Sequence, residues 1–161
     1  MYDFMAWLEA STLGHVMRES GVWTYGCVNL IHILGVATLF GSVVILDLRL
    51  LGLWRGIALA AISKPTVRVA TAGFIIAAIS GPCLLATKAT EYVGNPFLAI
   101  KFPAIALGLI NVVALGLSPA WQARGQRELS RREHRQLAVM GGLSLACWLT
   151  AITAGRLIAY W

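Results

Sequence analysis

From Tyr25 to Leu46 the chain is almost wholly apolar and carries no charge, and it then meets Asp47 and Arg49. About twenty such residues are what an α-helix needs to cross the roughly 30 Å core of a bilayer. A core helix of a soluble protein is rarely this long and this apolar all round, so the stretch predicts a membrane span over 22–48. Three further apolar runs predict spans over about 67–87, 96–117 and 137–160. In the second, Gly73, Ala77 and Gly81 recur every fourth residue, a stripe of small side chains for close helix contact. Pro82 follows and predicts a kink. Asn95 and Pro96 read as a cap followed by proline in the first helical position. Tyr160 and Trp161 suit the lipid–water interface. Met1–Ser20 has Phe4, Met5, Trp7 and Leu8 on one side and Asp3, Glu9 and Arg18 on the other. That pattern predicts a short helix lying in the interface. It lacks the basic leader and continuous apolar core of a signal peptide. The expected fold is all-α: a transmembrane four-helix bundle with a short N-terminal interfacial helix, residues 1–161 forming one integral membrane domain.

Composition agrees. Of 161 residues, 58% are hydrophobic and 12% charged, against about 25% charged in a soluble domain. The lipid bilayer is therefore the first partner, joined by other membrane subunits or further copies of the chain. The net charge of +6 lies mostly in two connections. Arg49, Arg55, Lys64 and Arg68 flank the first, and Arg124, Arg127, Arg131, Arg132 and Arg135 fill the other. Glu128 and Arg132 are spaced to pair on a helical turn. The positive-inside rule puts both basic connections in the cytoplasm and both termini outside. That placement accounts for the charge without nucleic acid. Cys27, Cys83 and Cys147 all fall in apolar spans without metal-site spacing, and read as small packing residues.

Topology turns positions into depths. His32 lies about 10 Å into the first span from the outer side, and Lys101 about 7 Å into the third. Arg156 falls within the last turn or so of the fourth. On a helical wheel Tyr25, Asn29 and His32 share a face with Leu39, Val43 and Asp47, and Gly35 beside them leaves room for a neighbouring helix or a flat ligand. Gly41 lies opposite, where a second helix could approach. Ionisable groups inside a span are costly and mark candidate sites, so the candidate ligand-binding set is His32, Lys101, Arg156, Tyr25, Asn29 and Gly35, with His32 as the metal ligand. Plainer roles stand beside it. His32 could bond across to Ser80 or Asn111, Lys101 and Arg156 could snorkel to headgroups, and Asp47 with Arg49 could pair with Arg68 or cap the bundle. Haem b fits the set, with imidazole on iron and cations on the propionates. A quinone-like ligand bonded through a carbonyl oxygen also fits. Either implies electron transfer. The alternative is a non-catalytic structural or assembly subunit of a larger membrane complex. No nucleophile–base pair or metal triad stands out, so an enzyme ranks last.

The stretches HILGVATLFGSVVILDLRLLG, AGFIIAAISGPCLLATKATEY and NPFLAIKFPAIALGLIN, with Trp7, Leu8, Arg18, Glu19 and Ser20 ahead of them, resemble a family of small four-helix bacterial membrane proteins of uncharacterised function. The resemblance runs to Asn111 and implies fold and location rather than an activity. A weaker likeness, carried by His32 and Lys101, is to copper-resistance D-type membrane domains and HemJ-type protoporphyrinogen oxidases. It implies haem or copper chemistry at the outer face or porphyrinogen oxidation, but the surrounding motifs of both groups are missing, and copper lacks a methionine cluster or a paired histidine.

Overall fold

The computed structural model describes residues 2–161, so Met1, the first residue of the expected interfacial helix, lies outside it. Among the described residues there is no strand. The helices are α1 (Tyr2–Ala10), α2 (Thr12–Glu19), α3 (Gly21–Leu51), α4 (Leu59–Ala86), α5 (Pro96–Leu117), α6 (Pro119–Ala123) and α7 (Arg131–Leu157), with short 3-10 turns at Ala89–Tyr92 and Ile158–Tyr160. Helices α3, α4, α5 and α7 are long and apolar enough to cross a membrane. Large apolar side chains such as Leu30, Ile33 and Leu34 on α3, Ile110 and Val113 on α5, and Val139 on α7 are exposed. Water would penalise that surface and lipid would not, so this is a multi-pass membrane protein of all-α fold.

The third span matches its expected limits and the others run longer. Helix α4 begins at Leu59 because helical geometry does not stop where hydropathy does. Ser63 and Thr66 return their hydroxyls to Ala60 and Ile62 carbonyls of the same helix, and Lys64 is exposed. Helix α7 begins at Arg131 because Ser130 and Glu133 form a capping box. That signal, serine followed three residues later by glutamate, was legible in the sequence. It also redirects the local ion pair. Glu133 is gripped by Arg127 at 2.6 Å, and the expected Glu128–Arg132 pair is replaced by it. The N-terminal segment is two helices, broken at Ser11, whose hydroxyl caps α2 by accepting from Gly14 N–H. Pro82 lies within the continuous α4 helix.

The residues fall into two compact bodies. The first contains α1, α2, α3 up to Leu39, and Thr71–Asn95. There α3 and α4 meet backbone to backbone. A Cβ on Gly73 would lie 2.5 Å from Leu39 N and 2.7 Å from Gly35 O, and one on Gly35 would lie 2.7 Å from Ile76. The predicted small-residue stripe is therefore the contact face. Helices α1 and α2 are tied to the C-terminal end of α4. Arg18 donates to the Ala86 and Thr87 carbonyls, where a cation complements the helix dipole. It also donates to Glu9 O, while the Glu9 carboxylate accepts from the Thr90 amide and hydroxyl, both at 2.7 Å.

The second body contains Phe40–Ala70 and Pro96–Trp161. Helices α5 and α7 run antiparallel along a seam in which side chains fill glycine gaps. Gly108 faces the Trp148 indole, Gly155 faces the Lys101 chain, and Asn111 donates across to Met140 O at 3.0 Å. At one end Leu50, Leu59, Leu115, Ala120, Trp121 and Leu137 form an apolar plug.

Candidate functional site

His32 projects from α3 toward α4, half-buried. Its Nδ1 lies 2.9 Å from Ser80 Oγ, and a Cβ on Gly81 would sit 3.3 Å from the ring Cε1. Gly81 is thus the bed on which the imidazole lies. Ser80 Oγ is also 2.6 Å from the Ile76 carbonyl of its own helix. A carbonyl can only accept, so the single hydroxyl proton of Ser80 goes to Ile76. In a neutral ring that direction makes Nδ1 the donor to Ser80 and leaves the acceptor lone pair on Nε2. This is the arrangement that outer partners impose on metal-binding histidines, fixing tautomer and ring orientation. Of the two structural partners expected for His32, Ser80 is the one found. Asn111 spends its amide on Met140.

The neighbours of His32 fall out unevenly. Tyr25 is exposed and Asn29 half-buried on the same helix. Tyr25 is close enough to Tyr92 to help push that phenol up, after burial, the larger cause. Gly35 is buried against Ile76 and the Ala77 backbone, so its space is taken by a neighbouring helix. Gly41 has nothing within 4 Å of its Cβ position, and the close helix contact expected there is not made.

In the second body Lys101 Nζ lies 3.4 Å from the Cβ position of Gly155. The missing side chain at 155 gives the lysine its channel, beside Arg156. The exposed Arg156 turns its guanidinium onto the last turn, 4.8 Å from the Tyr160 ring centroid and bonded to the Tyr160 hydroxyl. That contact fits the plainer reading of Arg156 as an interface anchor.

Asp47 differs from expectation. It is buried, bonded to Ser144 of α7 and packed where Gly141 admits it. Its Oδ2 meets no partner among the described residues. Arg49 sends Nε to Ile57 O at 3.0 Å and closes the loop after α3. The expected pairing of this doublet with Arg68 is not formed. Nothing in the sequence pointed from Asp47 to Ser144, because the link joins helices distant in sequence.

The described residues hold no cluster of three or more His, Cys, Asp or Glu side chains that could cage a metal ion. A group needing a single imidazole is the kind this donor set fits. Compared with protein-family models, curated proteins and solved structures, the chain finds no match.

Proposed function

We propose that the protein is a small bacterial inner-membrane electron-transfer or accessory protein in which His32 ligates a haem b iron through Nε2. One observation carries this reading: the Ser80 hydroxyl donates to the Ile76 carbonyl, so in a neutral ring the imidazole donates from Nδ1 to Ser80 and the lone pair falls on Nε2. A metal takes that lone pair. A quinone carbonyl, itself an acceptor, would need an N–H at the same position, so the tautomer favours iron over an oxidised quinone. When bound, the haem would supply one-electron chemistry, with the ring held by Ser80 and bedded on Gly81. The positive-inside rule supports periplasmic termini, which puts His32 in the outer half of its span.

The test is the absorption spectrum of protein purified in mild detergent from haem-replete cells. A Soret band is expected, lost in His32→Ala. In Ser80→Ala haem affinity should fall about 10- to 100-fold, the usual effect of removing an outer partner of a ligating histidine. A colourless preparation, or a band unchanged in His32→Ala, overturns the reading.

A further inference from the structure

The stretches 49–68 and 124–135 hold nine of the chain's thirteen Lys and Arg residues, four in the first and five in the second. Two of them differ from the rest. Lys64 and Arg124 converge on a cavity of about 240 Å³ that is also lined by Ala60, Gln122, Gly125 and Gln126. Among the described residues no carboxylate lines it.

Arg124 is built into place. Its Nε donates to Ser63 Oγ at 3.0 Å and its Nη1 to the Trp121 carbonyl. Its guanidinium stacks 3.8 Å from the Trp121 ring centroid. Both supports are rigid: Ser63 is fully buried, and Trp121 belongs to the apolar plug. A guanidinium fixed on two edges and one face has lost its rotamer freedom before any ligand arrives. Nη2 meets no acceptor among the described residues. The Lys64 ammonium lines the same cavity without an ion-pair partner among the described residues, and the glutamine amides add neutral donors. Ala60, in the opening turn of α4, brings the positive end of that helix dipole.

The surroundings decide the source of the anion. Leu59 and Leu115, at the start of α4 and near the end of α5, belong to the plug against which Arg124 stacks. The cavity therefore sits where hydrocarbon-facing helices give way to basic connections. A phosphate there would be joined to acyl chains lying along the apolar helix surface below it.

We propose that this cavity is a binding site for the phosphate of an anionic phospholipid headgroup, gripped by Arg124 and Lys64. It is a discrete site, distinct from the diffuse attraction of the surrounding arginines.

Native mass spectrometry of the detergent-solubilised protein, titrated with phosphatidylglycerol, phosphatidylcholine or inorganic phosphate, tests this. One phosphatidylglycerol should be retained in preference to phosphatidylcholine. Lys64→Gln, an exposed change that leaves packing intact, should weaken retention about fivefold, as expected for one basic group near a lipid surface. Adding Arg124→Gln should abolish the preference. Arg131→Gln with Arg135→Gln removes equal charge outside the cavity and should leave the retained lipid in place. Equal loss in that control would show diffuse charge and overturn the site. Inorganic phosphate displacing the lipid at comparable concentration would overturn the lipid assignment. Unchanged retention in Lys64→Gln and in the double variant would overturn both.

Discussion

The two bodies solve helix packing in opposite ways. In the first, α3 and α4 are pressed together until backbone touches backbone at Gly35 and Gly73. In the second, α5 and α7 use glycine as a socket for side chains: Trp148 over Gly108, Lys101 over Gly155. Membrane helices gain little from apolar burial between them, because lipid is equally apolar, so contact must come from close van der Waals fit or interhelical hydrogen bonds. The first contact takes the former route nearly alone, with His32–Ser80 as its polar link. The second combines sockets with the Asn111–Met140 bond. The difference teaches where a polar group can be held rigidly: His32 owes its fixed ring to the tightness of the α3–α4 contact around Gly81.

Substitutions can break that contrast. The largest effect is expected at Gly73→Ala, whose new Cβ would meet the Leu39 amide at 2.5 Å, an atom that cannot swing aside. About 1–3 kcal/mol of stability should be lost, read as a lower unfolding midpoint in detergent, together with looser order of the His32 ring. Asn111→Ala removes the interhelical bond of the second seam and should cost about 0.6 kcal/mol in the same measurement, without altering His32. Smaller still is the anchoring of α1 and α2. Bonds from the Thr90 amide and then its hydroxyl hold the Glu9 carboxyl below the usual carboxylate range. A depressed pKa stabilises above the free carboxyl's value and is lost as pH falls through the lowered one. The Thr90 amide should therefore exchange slowly at pH 7 and faster in acid beyond the intrinsic change, and Glu9→Gln should remove that excess acid dependence. Gly108→Ala completes the series. Its Cβ would rest 3.4 Å from Trp148, ordinary contact, so the midpoint should shift by less than about 0.5 kcal/mol. A change as large as that of Gly73→Ala would erase the distinction between the two contacts.

Much of this was legible in the sequence. Long uncharged runs specify spans because no other structure satisfies the backbone in lipid, and the Gly73–Ala77–Gly81 stripe named the tight face of α4. Helix ends beyond the apolar runs were less legible, since Lys64 or Glu133 ends a hydropathy run without ending a helix. At the candidate site, His32 and its option of Ser80 were visible, but the direction of the proton was not. It depends on Ser80 also reaching Ile76, a matter of rotamer. The asymmetry at glycines was hidden too: Gly35 and Gly41 look alike as letters, yet one is clamped and the other open. Asp47–Ser144 and Lys101–Gly155 needed the antiparallel register before either pair could be seen.

The tautomer of His32 carries the functional reading, and ring ¹⁵N NMR of selectively labelled protein reports it directly, without any ligand. The expected result is an imidazole protonated at Nδ1 and unprotonated at Nε2, with a loss of that preference in Ser80→Ala. A ring protonated at Nε2 would contradict it, because the nitrogen assigned to iron would then be a hydrogen-bond donor.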